Sequence, residues 1–159
     1  MSRFQINEVI IMKLILENFR NFVKEAVDLV CPPATQDLKL NTKNRDSAIK
    51  AEHIQYGPLN VDEPGDYWVK IADYWNTTPE AAAKSVCGNC VAFDISPRMK
   101  ECMPGETSDE DGLLGYCWMH HFKCHSARAC RTWAKGGPIE DDSISADWQE
   151  RSNIDKESN

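Results

Sequence analysis

"SVCGNCVAFD", residues 85–94, decides how the chain is read, because it sets two thiols three positions apart around Gly88 and Asn89, after a helix-like run and before an apolar one. A two-residue gap lets both sulfurs of one turn face a single ion or cluster. The remaining ligands must then come from a distant segment, so that the chain closes on the metal. Six of the seven cysteines fall between residues 87 and 130, as Cys87, Cys90, Cys102, Cys117, Cys124 and Cys130. Between the third and fourth of these runs "MPGETSDEDGLLG", residues 103–115, which is rich in turn formers, as expected where a chain wraps a site.

The rest of the sequence narrows the setting. At 159 residues the chain has room for one domain of ordinary size with a modest core and loose ends. A net charge of -7 and a pI near 5.1 argue against nucleic acid as a main partner. The one cationic cluster, "HHFKCHSARACRTWAK" at 120–135, is weak. No run approaches the roughly 20 apolar residues that span a bilayer, and the N-terminus lacks a secretory pattern, so the chain reads as cytoplasmic with no membrane role. In a reducing compartment clustered cysteines more often bind metal than form disulfides. Cys31, far from the other six, reads as a buried, inert thiol.

Four segments follow. Residues 1–33 hold an amphipathic helix, with Ile15, Phe19, Phe22, Val23, Ala26, Val27 and Val30 at three and four residue steps, ended by Pro32 and Pro33. Met12 before that helix also suggests an alternative start. Residues 34–65 are polar, without a sustained period, and read as a connector; His53 within it reads as solvated. In 66–139, "DYWVKIADYW" places Trp68, Ile71 and Trp75, with Tyr67 and Tyr74, on one helical stripe, which reads as core packing. "NTTPEAAAKS" starts a second short helix, with Thr78 as cap and Pro79 at the first helical position, and delivers Cys87 at its end. Residues 140–159 read as an acidic disordered tail. The fold class expected is a small α+β or irregular one: N-terminal helix, two short helices, then a metal-stabilised cysteine-rich module with little regular structure.

"CGNC" followed by "VAF", then "ECMPG", then "GYC" resembles the high-potential iron-sulfur proteins. Their 4Fe-4S ligands come as C-x-N-C, a cysteine shortly before Pro-Gly, and a cysteine preceded by Gly and an aromatic. The resemblance covers residues 85–122 and implies Cys87, Cys90, Cys102 and Cys117 as ligands. It departs from the pattern at Asp111 and at His120, where the family prefers an aliphatic and an aromatic residue. An aromatic does follow Cys130, in "CRTWAK", so Cys87, Cys90, Cys117 and Cys130 form the other ligand set. A looser resemblance, carried by "MKLILENFRNF" and by "CGNCVAFD" with "GYCWMHHFKCHSARACRTWAKGGPI", is to small proteins of marine T4-like tailed phages. It implies a viral product working in an infected bacterium or carried in the virion.

The chemistry expected is that of an electron carrier or a structural protein, with an unidentified redox or phage protein as partner. Zinc is the alternative cofactor, held by Cys87 and Cys90 with Cys117 or Cys130, and with His120, His121 and His125 near enough to compete. Phe93, Tyr116, Trp118, Phe122 and Trp133 are candidates for a dry shell around the metal. Cys117 with His120 or His121, or Cys124 with His125, could pair a thiol with a base, but no orienting acid accompanies either pair. Neighbours in a strand also point to opposite faces, against the second pair. Metal loss is expected to disorder 87–135 and leave the 12–30 helix.

Overall fold

The structure is a computed structural model that describes residues 11–13, 15, 16, 18 and 30–152. The chain divides into two compact units, Met1–Val30 and Cys31–Asn159. In the first, the described positions between 11 and 18 are all helical, as the periodicity predicts. Phe19, Phe22, Val23, Ala26 and Val27 lie outside the described residues.

The second unit is a small α+β fold around a three-stranded antiparallel sheet, in the order β1 (Phe93–Asp94), β2 (Leu114–Cys117), β3 (Phe122–His125). Phe93 pairs with Cys117, Cys117 with Phe122, and Gly115 with Cys124. By the two-residue period of a strand, Phe93, Gly115, Cys117, Phe122 and Cys124 share one face, while Asp94 and Tyr116 share the other. Gly115 is needed there: a Cβ would stand 2.5 Å from the Phe93 ring. The cysteine region is therefore more regular than expected. Its strands have two to four residues, too few to show an alternating apolar pattern.

Residues 34–65 are corrected from connector to structure. After Pro32 come α1 (Pro33–Gln36) and α2 (Leu38–Lys50), separated by Asp37, whose carboxylate accepts from the N–H groups of Lys39 and Leu40. The inner face of α2 mixes the polar Asn41 and Asn44 with Leu40, Ala48 and Ile49, so no sustained apolar period announces it. Asn41 Oδ1 accepts from Lys123 N at 2.7 Å and Asn44 Nδ2 donates to His121 O at 2.7 Å, so α2 covers the open edge of β3. Past α2, the Tyr56 ring packs edge-on against Phe122, 4.7 Å between centroids, and its hydroxyl accepts from His125 N.

The two short helices appear where expected, as α3 (Tyr67–Trp75) and α4 (Pro79–Ala82), with Thr78 Oγ1 accepting from Ala81 N. Ile71, Ala72, Ala82 and Ala129 form a small second core, against which Trp68 and Trp75 pack. Tyr74 leaves that stripe and is exposed, with the Arg131 guanidinium 4.4 Å over its ring. Because α4 stops at Ala82, Cys87 does not end a helix. It begins a separate 3-10 turn, Cys87–Asn89.

Beyond β1, α5 (Pro97–Cys102) leads into the turn-rich stretch. The acidic segment after Ile139 is corrected from disordered tail to helix: α6 (Asp142–Ser152) docks on α5, and residues 153–159 lie outside the described set. The contacts are again polar. Arg98, buried on α5, donates from Nη1 to Ser145 Oγ at 2.8 Å and from Nη2 to Gln149 Oε1 at 2.5 Å, while its N–H donates to Asp142 Oδ1. Ser145 Oγ donates in turn to the buried Asp94 carboxylate, which also accepts from Trp118 Nε1 and Ser96 N. Among the described residues no helix is long and apolar enough to cross a membrane.

Candidate metal centre

Cys102 is drawn away from the other thiols. Its sulfur is bonded to Cys31, 71 residues earlier, in a disulfide that ties the start of this unit to the end of α5. This corrects two readings: Cys31 is half-buried and bridged, not an inert thiol, and a disulfide sulfur offers no thiolate to a metal. The ligand set containing Cys102 therefore does not match this structure.

The five remaining cysteines are free, buried and gathered around one small cavity, lined by Cys87, Cys90, Phe93, Cys117, Met119, Cys124, Cys130 and Trp133. The sheet face supplies Phe93, Cys117 and Cys124. The 3-10 turn supplies Cys87 and, at its end, Cys90. The segment after β3 brings Cys130 and Trp133 alongside that turn through backbone pairing: Cys87 N donates to Arg128 O, Gly88 N to Ser126 O and Val91 N to Ala134 O. The approach is close. A Cβ on Gly137, whose N–H donates to Asn89 O, would overlap the Cys90 carbonyl.

Asn89 braces the thiol-bearing turn. Its Oδ1 accepts from Val86 N at 3.2 Å and from Trp133 Nε1 at 2.8 Å, and its Nδ2 donates to Lys84 O at 2.8 Å. Trp133 is thus fixed as a wall of the cavity. Of the expected aromatic shell, Phe93 and Trp133 take that place and the others do not. Tyr116 and Trp118 stack edge-on together, with Trp118 bonded to Asp94, and Phe122 turns to Tyr56.

Electrostatics divide the thiols. Burial pushes Cys90 up, Cys124 well up, and Cys130 up to about 12. Cys117 is lowered, chiefly by a hydrogen bond from Cys124, which also bonds to Cys87. Backbone N–H groups favour the charged form of three sulfurs: Ala134 and Ala92 at Cys90, His120 and Met119 at Cys117, Thr132 at Cys130. In each case one of these donors lies two residues after the cysteine. Buried thiols that meet preset amide dipoles are poised to become thiolates once a cation supplies the opposing charge.

The histidines lie elsewhere. His120 Nε2 is 2.7 Å from Thr132 Oγ1, and burial holds its imidazole down to about 4. His125, on the strand face opposite Cys124, pairs with Asp109 at 3.0 Å, so the two side chains diverge as alternation predicts. His53 is exposed. No histidine lines the cavity. Among the described residues no three His, Cys, Asp or Glu side chains stand close enough to hold one ion.

Thr132 and Met119 were not singled out by the sequence. A threonine two residues after a cysteine carries no signal until the partner of its hydroxyl is known. No protein-family model matches the chain, and neither a curated protein nor a solved structure matches it.

Proposed function

We propose that the cysteine cavity is a metal centre in which Cys87, Cys90, Cys117 and Cys130 hold a 4Fe-4S cluster, and that the protein passes single electrons to a protein partner. The observation that carries this reading is the gathering of five free, buried cysteines around one small cavity, four of them from the segments that the cluster pattern singles out. Two further features agree with it. The remaining wall is apolar, from Phe93, Met119 and Trp133. The four sulfur-bearing residues are each 7–9% exposed, so a cluster there would sit just under the surface, within reach of a partner. Cys124, 2% exposed and the most deeply buried of the five free cysteines, is a support and not a ligand in this reading.

One observation favours a second reading. The cavity measures about 10 Å3, room for one water-sized body, which suits a closed all-cysteine zinc site better than a cubane. In that case the metal is a staple and the protein a structural or interaction component, in keeping with the phage resemblance. The same cysteines serve both readings.

Protein prepared without oxygen is expected to be brown, with broad thiolate-to-iron absorption near roughly 400 nm. Replacing Cys87, Cys90, Cys117 or Cys130 with serine removes the colour, while Cys102→Ser keeps it and loses only the disulfide. Colourless wild-type protein carrying one zinc ion ends the electron-transfer reading. A coloured Cys130→Ser protein beside a bleached Cys102→Ser one returns the ligand set to Cys102.

A further inference from the structure

Thr132 stands between the cavity and a histidine outside it. Its Oγ1 lies 3.1 Å from Cys130 Sγ and 2.7 Å from His120 Nε2. A hydroxyl has one proton to give and lone pairs to receive with, so it can satisfy both neighbours only in a fixed direction. Once Cys130 is a thiolate, its sulfur can only accept. Thr132 must then donate to the sulfur, and Oγ1 must accept from the Nε2–H of His120. The sulfur thereby sets the imidazole tautomer, and the chain of donation runs from His120 through Thr132 to Cys130. Successive hydrogen bonds of this kind reinforce one another.

We propose that Thr132 is a positioning residue for the metal–thiolate bond at Cys130, its hydroxyl held toward the sulfur by His120. The proposal rests on the reading of Cys130 as a metal ligand. The backbone N–H of Thr132 acts on the same sulfur, so one residue supplies two donors to one ligand. Hydrogen bonds to a ligand sulfur draw electron density off it, which lowers its donation to the metal and stabilises the more negatively charged site. Cys130 would therefore donate less strongly than it would without Thr132. It also lies beside Trp133, whose indole fixes the thiol-bearing turn, so the Cys130–Trp133 segment both shapes the cavity and tunes one of its bonds.

Cobalt(II) alone is the probe, because its thiolate charge-transfer bands report sulfur donation and its titration reports affinity. Full-length, metal-free protein is titrated without oxygen as wild type, Thr132→Val, Thr132→Ser and His120→Phe. Valine matches threonine in shape, so packing is kept and only the hydroxyl is lost; serine keeps the hydroxyl. Thr132→Val is expected to lose about 10–100-fold in cobalt affinity and to move the charge-transfer band to lower energy, as the sulfur regains electron density. Thr132→Ser stays near wild type, and His120→Phe, which leaves the hydroxyl present but unheld, falls between. A Thr132→Val protein with wild-type affinity and an unmoved band overturns the proposal, as does a Thr132→Ser protein that behaves like valine. Should Thr132→Val fail to fold, His120→Phe decides: a shifted band supports the chain of donation and an unshifted one overturns it. Wild-type protein that binds no cobalt removes the metal reading and this proposal with it, whereas cobalt bound alike by all four proteins removes only the proposal.

Discussion

At Asn89 one exposed side chain satisfies three neighbours, the Val86 amide, the Lys84 carbonyl and the Trp133 indole, and so holds the turn that carries Cys87 and Cys90. With each hydrogen bond worth about 0.5–1.5 kcal/mol net, Asn89→Ala is expected to destabilise the protein by about 1–3 kcal/mol in a denaturant titration. It should also shift the Trp133 emission as the indole loses a partner. Unchanged stability would mean that the backbone pairing of the turn to Ser126 and Arg128 suffices without the asparagine. Asn89 was visible in the sequence only through its resemblance to a C-x-N-C pattern. Its mechanical role depends on Trp133, 44 residues away, which no local window brings into view.

The elements that the sequence revealed and those it hid differ in what they bury. Helix α3 shows itself because Ile71 and the half-buried Trp68 and Trp75 repeat at helical spacing, and α4 because Thr78 and Pro79 are start signals in their own right. Helices α2 and α6 stayed hidden because they dock through side chains that look like solvated residues: Asn41 and Asn44 on the sheet edge, Ser145 and Gln149 on Arg98. Periodicity reports apolar burial and is blind to a helix held by buried hydrogen bonds. Ser145 is the sharpest case, standing fully buried between the Arg98 guanidinium and the Asp94 carboxylate. Ser145→Val is expected to cost about 1–3 kcal/mol by leaving buried polar groups unmet. The loss should be read as faster amide exchange in α6, with that in α3 unchanged. Equal exchange in wild type and variant would show that α6 is held by Trp148 and the other packing contacts instead.

At the scale of the whole unit, the cysteines divide into a staple and a site. Cys31–Cys102 closes a long loop and stabilises by restricting the unfolded chain. The other five thiols face a cavity whose walls come from β1, β2, β3, the 3-10 turn and the segment after β3. The density of cysteines between 87 and 130 made the site legible. Which thiols belong to it did not follow from spacing, because the partner that removes Cys102 lies 71 residues upstream and carries no motif. The most direct test is a count of iron and inorganic sulfide per chain in wild-type protein purified without oxygen. About four of each is expected for a 4Fe-4S cluster held by Cys87, Cys90, Cys117 and Cys130, whereas protein that carries neither iron nor sulfide, or a single zinc ion in their place, would contradict it.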